Sequence, residues 1–152
     1  MVMRMRSLRQ TPAKGEYLFA ICLPALDAVT PNVLHRVDMA LAADHAKGIR
    51  GDVQLALAEA MNNVSEHAYP DTSLGAVAVS VSRMDGALIV TVTDWGCGYT
   101  GDLTRLVQPD PQSLKEGGYG WFLIRELTVS CDYTQQAEKN RLRMVFEPPR
   151  AE

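Results

Sequence analysis

Three short stretches of this sequence carry residue types that can bind a charged ligand or move a proton. In the first stretch, Glu59, Asn63 and His67 follow one another at intervals of four residues. Side chains with this spacing lie within an arc of roughly 80° on one face of a helix. Val53 and Leu57 mark a neighbouring apolar stripe, so the polar side chains lie at the edge of the core. A carboxylate and an amide there can face a cleft, although a solvated helix face has the same pattern.

The second stretch is D-W-G-C-G, which follows an alternating apolar run. Asp94 is in phase with Leu88 and Val92, so its side chain is predicted to point inward. An inward carboxylate is costly unless it accepts hydrogen bonds, which suits it to bind a donor such as an exocyclic amine. Gly96 and Gly98 allow the backbone to approach a flat ligand. An aspartate in an ordinary glycine-rich turn is the alternative interpretation.

The third stretch is a glycine cluster before an apolar run. Gly117, Gly118 and Gly120 precede Trp121–Ile124, which is predicted to begin a helix. Glycines at a helix start expose free backbone N–H groups and the positive end of the helix dipole, and both favour a phosphate. A flexible loop end has the same composition, so this stretch is weak evidence by itself.

The elements that must position these stretches follow from periodicity and turn residues. Thr30 is predicted to cap the first helix, and Gly51-Asp52 to cap the second. The predicted order is a strand at Glu16–Leu23, a helix at 31–47, a second helix from Gly51 to Ala68, a hairpin of Ala76–Arg83 and Ala87–Asp94, a long loop over 96–118, a short helix at Trp121–Thr128, and strands at Val129–Thr134 and Arg141–Phe146. This order predicts an α+β fold, a two-layer sandwich whose helices cover one face of a mostly antiparallel mixed sheet.

Length and composition predict one domain. With 152 residues, 47% hydrophobic and 22% charged, the chain can bury a single core. We expect the domain over residues 16–147, with flexible tails at 1–15 and 148–152. The 15 Lys+Arg against 18 Asp+Glu give a net charge of −3, so no global basic field favours direct nucleic-acid binding. Apolar runs long enough for a membrane span are lacking, so no membrane association is expected.

The cysteines and histidines have no metal-binding or disulfide pattern. Cys22, Cys97 and Cys131 are an odd number with wide spacing, which favours a reducing, cytoplasmic location. Cys97 is open to two interpretations, a reactive thiol next to a bound ligand or a small buried apolar residue.

Taken together and in this order, the three stretches resemble the N, G1 and G2 boxes of the histidine-kinase-like ATPases. The matching residues are Glu59-x₃-Asn63-x₃-His67-Ala68-Tyr69, Asp94-x-Gly96-x-Gly98 and Gly118-x-Gly120-x₂-Leu123-Ile124. The His-Ala-Tyr ending and the small size are most similar to the anti-sigma factor serine/threonine kinases of the RsbW type.

The resemblance implies a role for each matching residue. Asn63 would ligate an Mg²⁺ ion that bridges the phosphates of ATP, and Glu59 would act as general base. His67 is expected in the same cofactor site, with phosphate contact and simple packing both open. Mg²⁺ prefers oxygen ligands and keeps several waters, so one amide oxygen with phosphate oxygens makes a plausible shell.

At the other end of the nucleotide, the resemblance implies that Asp94 binds the adenine amino group. Gly96 and Gly98 would shape the adenine pocket, and Gly118 and Gly120 would let a lid loop close over the phosphates. These roles agree with what the residue types indicate without the resemblance.

The implied function is an ATP-binding anti-sigma factor. Such a protein would sequester a sigma factor and phosphorylate a serine or threonine on a small antagonist (anti-anti-sigma) protein, acting as a homodimer. The alternative is a nucleotide-gated binding module of the same fold that phosphorylates nothing. Departures from the family pattern are Trp95, Cys97, Trp121 and Asn140-Arg141, which stands where a Gly-Thr pair often opens the final strand.

Overall fold

The computed structural model describes residues 15–43, 48–69, 74–98 and 118–148. The predicted helix end at 44–47, the predicted loop at 99–117 and the predicted tails at 1–14 and 149–152 lie outside the described residues. The elements are β1 (Glu16–Pro24), a 3₁₀ turn (Asp27–Val29), α1 (Thr30–Ala43), α2 (Arg50–Asn63), a π-helical turn (Val64–Ala68), β2 (Ala76–Met84), β3 (Ala87–Asp94), α3 (Gly118–Leu127), β4 (Ser130–Gln136) and β5 (Lys139–Phe146).

The strands form a five-stranded sheet in the order β1-β2-β3-β5-β4. All neighbouring strands within the described ranges pair antiparallel, so the sheet has none of the parallel pairing that the predicted mixed sheet allowed. The hairpin of β2 and β3 is confirmed, and its turn residues Asp85 and Gly86 have φ angles of 51° and 81°. These positive angles match the right-handed twist of the strands.

The predicted α+β architecture is confirmed by one apolar core between the sheet and the helices. Alternate residues of β2, β3 and β5 face this core, as period two requires. Side chains with no exposed surface come from helices and strands alike: Val33, Val37, Leu41, Val53, Leu57, Val81, Leu88, Val90, Ile124 and Met144. Burial of each large apolar side chain contributes about 1.5–3 kcal/mol, which holds the helices against the sheet.

The predicted caps of the first two helices are wrong. Thr30 has helical angles (φ −54°, ψ −49°) because the 3₁₀ turn runs directly into α1, and its N–H donates to the carbonyl of Asp27. Its buried hydroxyl has no hydrogen-bond partner within the described part of the chain, so it caps nothing. In α2, Ile49 occupies the N-cap position without a side-chain hydrogen bond, and Asp52 lies in the first turn. A carboxylate there stabilises the positive end of the helix dipole.

An ion pair joins α1 to the start of α2. Arg50 donates from Nε and Nη2 to the two carboxylate oxygens of Asp38, at 2.9 and 2.7 Å. This hydrogen bonding holds the pKa of Asp38 below its ordinary value.

The last helix, α3, begins at Gly118, three residues before the predicted start. Across the described ranges, no helix combines the length and apolar character needed to cross a membrane.

Candidate functional site

A cleft opens between α2, the first turn of α3 and the inner face of the sheet. It contains about 430 Å³ of empty space, which includes space open to solvent. Its walls combine residues of the polar helix stripe, the strand-end aspartate and the glycine-rich start of α3. The lining residues are Ala60, Asn63, Val64, His67, Ala68, Val92, Asp94, Gly98, Trp121, Tyr133 and Leu142. Stretches that are far apart in sequence therefore meet at one site.

The polar stripe of α2 meets the glycine-rich start of α3 at its edge. Gly120 lies so close to Glu59 that a Cβ atom there would be 2.7 Å from Glu59 Oε2. The same atom would be 3.8 Å from Oδ1 of Asn63. Both predicted polar residues thus face the first turn of α3, where backbone N–H groups have no partner within the helix. Gly118 lies in this same turn.

Asn63 holds an unpaired polar atom. Its Nδ2 is buried and has no hydrogen-bond partner among the described residues. Because a half-turn of the amide exchanges nitrogen and oxygen, the buried position suits either a donor or an oxygen ligand. The described residues contain no group of three or more His, Cys, Asp or Glu side chains that could enclose a metal. An Mg²⁺ ion next to Asn63 would therefore take most of its ligands from phosphate and water, as Mg²⁺ commonly does.

Asp94 is buried at the opposite side of the cleft and points inward as predicted. Its exposed fraction is 6%. Oδ1 accepts hydrogen bonds from the N–H of Gly96 at 2.9 Å and from Nδ2 of Asn140 at 2.8 Å. Within the described ranges, Oδ2 receives no hydrogen bond. The carboxylate is therefore held through one oxygen and keeps acceptor capacity for a ligand at the other.

The segment after Asp94 packs against the end of the π-helical turn. The N–H of Cys97 donates to the carbonyl of Ala68 at 2.7 Å. A Cβ atom on Gly96 would lie 1.9 Å from the same oxygen, so a side chain is excluded there. Gly98 has a φ of +72°, and its Cβ would lie 2.1 Å from Nε2 of Gln135. Both glycines are required by close approach to the protein itself, before any ligand is considered.

Cys97 is not the small buried residue that one interpretation predicted. It is exposed, and its thiol donates to the carbonyl of His67 at 3.2 Å. His67 lines the cleft, and its Nε2 lies 3.5 Å from Oε2 of Glu66 at the surface. Cys131 behaves differently, because burial raises the pKa of its thiol to about 11 and so disfavours the reactive thiolate.

Tyr69, the last residue of the His-Ala-Tyr ending, connects the end of the π-helical turn to the sheet. Its hydroxyl donates to the carbonyl of Ala76 at 2.5 Å and accepts from the N–H of Trp95 at 3.0 Å. A Cβ on Gly75 would lie 2.0 Å from the tyrosine ring, so Gly75 makes room for the ring. The tyrosine thereby fixes β2 and the end of β3 relative to the π-helical turn.

An aromatic pair forms the wall between α3 and β4. The rings of Trp121 and Tyr133 meet edge to face, with centroids 5.7 Å apart and an interplanar angle of 75°. Trp121 is only 5% exposed although it lines the cleft. Tyr133 was missed in the sequence, but it shares the inward phase of β4 with Cys131, which period two could have revealed.

Comparison with known families agrees with the geometry. The model of the histidine kinase-like ATPase domain matches residues 23–146, which include all three stretches that line the cleft. The chain belongs to the histidine kinase-like ATPase family.

Two relatives are serine-protein kinases called RsbW. The protein from Halalkalibacterium halodurans is 37% identical over 82 residues, which cover 50% of this chain and 49% of that protein. The protein from Oceanobacillus iheyensis is 30% identical over 84 residues, which cover 50% of this chain and 52% of that protein. The chain spans about half the length of the curated relatives it matches.

Proposed function

We propose that this protein is an anti-sigma factor serine/threonine kinase that binds ATP and Mg²⁺ in the cleft. In this proposal it sequesters a sigma factor and transfers phosphate to a serine or threonine of a small antagonist protein. The observation that carries the proposal is the buried amide nitrogen of Asn63, which has no partner among the described residues and lies one helical turn from Glu59 and across the cleft from Asp94. Sequence similarity to two RsbW kinases supports the same proposal.

Recognition of adenine would be the task of Asp94. A carboxylate that is already held by Gly96 and Asn140 through Oδ1 can accept the exocyclic amine of adenine through its other oxygen. Because the site is buried, a base without that donor would leave a charged acceptor unpaired, which is a strong penalty. Trp121 and Tyr133 would supply apolar and aromatic contact to the flat base.

Phosphate binding would be the task of Asn63 and the first turn of α3. The free N–H groups of that turn and the helix dipole favour negative charge, and Gly120 keeps the approach open. Mg²⁺, when bound, neutralises charge on the phosphates and orients them for transfer. Asn63 would supply one oxygen ligand for the ion, while His67 lines the same cleft and is a candidate for phosphate contact.

Glu59 would accept the proton of the attacking hydroxyl. A seryl hydroxyl is a weak nucleophile near neutral pH, and a positioned carboxylate typically contributes 10²–10⁴-fold to the rate. The contact of Glu59 with Gly120 supports a position next to the phosphate end of the cleft.

The test isolates tagged protein in the presence of ATP and Mg²⁺, identifies the proteins that copurify, and follows labelled phosphate onto each of them. The parent protein should transfer phosphate to one small partner. Glu59→Ala should bind Mg²⁺-ATP and that partner nearly as well as the parent while transfer falls by about 10²–10⁴-fold. If Glu59→Ala unfolds the domain, the carboxylate has a structural role and the catalytic assignment fails.

A second candidate function is a nucleotide-gated binding module without kinase activity. The observation that favours it is Trp121, whose large ring occupies the wall of the cleft where the family usually has an aliphatic residue. Nucleotide-dependent capture of a partner, with no phosphate transferred to any copurifying protein, would make this module the better description. In either case we propose a homodimer whose partners are proteins and not nucleic acid.

A further inference from the structure

Asn140 is a buried amide that contacts all three fixed positions of the D-x-G-x-G segment. Its exposed fraction is 5%. Nδ2 donates to Oδ1 of Asp94 at 2.8 Å and to the carbonyl of Gly96 at 3.0 Å. Its Oδ1 would lie 2.7 Å from a Cβ atom at Gly98, so the amide also lies directly against that glycine.

The orientation of this amide is fixed by its partners. The carboxylate of Asp94 and the carbonyl of Gly96 are both acceptors, so only the nitrogen of Asn140 can face them. Strand register brings the side chains together, because Asn140 pairs directly with Asp94 across β3 and β5, and with Gln135 across β4 and β5. Asn140 therefore uses both of its N–H donors on the strand-end aspartate and the backbone that follows it.

We propose that Asn140 is a positioning residue that sets which nucleobase the cleft accepts, a role that rests on the proposed ATP binding. The hydrogen bond from Nδ2 of Asn140, together with the one from the N–H of Gly96, holds the carboxylate of Asp94 in one orientation through Oδ1. With Oδ1 occupied, only Oδ2 is left for a base. The amino group of adenine can donate a hydrogen bond to that oxygen. The carbonyl oxygen of guanine at the same place would instead put a second acceptor against Oδ2.

The main test compares ATP and GTP binding in the parent, in Asn140→Ala and in Asn140→Asp by calorimetry at pH 8 and pH 6. Removing the Asn140 donor leaves Oδ1 of Asp94 with the Gly96 N–H alone, which should weaken ATP binding by about tenfold or more in both variants at pH 8 and should reduce the preference for ATP over GTP. Asn32→Asp, at an exposed position on α1, makes the same chemical change away from the cleft and should leave both affinities unchanged.

Comparing ATP affinity at pH 8 and pH 6 distinguishes a positioning role of Asn140 from a general loss of structure in the variants. In Asn140→Asp, two carboxylates lie within hydrogen-bond distance, which raises one pKa of the pair. As the pH falls, the pair takes up a proton, the hydrogen bond to Asp94 reforms, and ATP affinity should recover toward the parent value. Asn140→Ala has no such proton and should show no recovery. His67, Tyr133 and Cys97 also face or border this part of the cleft, so each variant is compared with the parent at the same pH.

A measurement on the parent covers the case in which the variants fail to fold. In ¹⁵N-labelled protein, the side-chain N–H signals of Asn140 should be protected from solvent exchange and should shift with ATP but not with GTP. If the parent binds no ATP at all, the proposed function fails. If the parent binds and selects ATP while the variants keep the same ATP-to-GTP ratio, or the Asn140 signals do not respond, the positioning role is overturned.

Discussion

Replacing Gly120 with alanine should lower the rate of phosphate transfer without lowering the stability of the domain. Gly120 lies in the first turn of α3, and a Cβ atom built there is 2.7 Å from Oε2 of Glu59. Ordinary van der Waals contact begins near 3.4 Å, so the two atoms must move apart by about 0.7 Å. The neighbour is the far end of a flexible side chain, so the Glu59 carboxylate is expected to move and the helix backbone to stay.

Two effects of Gly120→Ala then act in opposite directions. Alanine is favoured over glycine in a helix by about 0.8–1.0 kcal/mol, so the domain should be as stable as the parent or slightly more stable. For a domain of this size, 1 kcal/mol corresponds to a rise of roughly 2–4 °C in the melting temperature. Misplacing a reacting group by about 1 Å can cost about 10²-fold in rate, so phosphate transfer should fall by about tenfold to a hundredfold.

The matched control for this change is Gly51→Ala in α2, where an added Cβ meets nothing within 4 Å. It should give a similar gain in helix stability with no loss of transfer. Thermal unfolding followed by circular dichroism measures the first effect, and labelled phosphate transfer at saturating Mg²⁺-ATP measures the second. Transfer at the parent rate by Gly120→Ala would refute the inference that the position of Glu59 next to α3 matters for catalysis.

The remaining predictions concern the two ends of the nucleotide. Asp94→Asn should weaken ATP binding while the fold is retained, since an amide has only one acceptor oxygen and Gly96 and Asn140 already donate to that position. Unchanged affinity by calorimetry, or equal affinity of the parent for ATP and GTP, would contradict the adenine role. Asn63→Ala should remove the Mg²⁺-dependent part of ATP binding and leave the metal-free part. Titrations with and without Mg²⁺ that lose the same affinity would assign Asn63 a purely structural role.

The periodicity of apolar and polar residues within single elements was sufficient to predict several of the strands and helices that position this site. Alternation about Asp85-Gly86 predicts the β2–β3 hairpin, and the same alternation correctly directs Asp94 into the core. Spacing in α2 predicts that Asn63 and His67 share one face, and both line the cleft. These features depend on neighbours within a few residues, which is why periodicity is enough to find them.

Two features of the structure were missed or wrongly predicted, one because it depends on a distant contact and one because the preceding turn was not foreseen. Asn140 and Asp94 are separated by 46 residues, and nothing near Asn140 in the sequence indicates its partner. Its inward phase with Leu142 and Met144 could have marked it as a buried polar residue, but not as a donor to that carboxylate. Threonine is common at the N-cap of helices, but the preceding 3₁₀ turn keeps the backbone of Thr30 helical, and its hydroxyl has no partner among the described residues.

The two ends of the cleft are connected through one continuous helical segment. Asn63 ends α2, and the π-helical turn that follows presents the carbonyls of His67 and Ala68 to Cys97. The residues that would contact phosphate and the segment that would contact adenine are therefore anchored to the same backbone. A π-helical turn changes the helical register at this point, and such turns are frequent at functional sites. The change brings the Ala68 carbonyl against Gly96, so main-chain contacts help to set the distance between the amide of Asn63 and the carboxylate of Asp94.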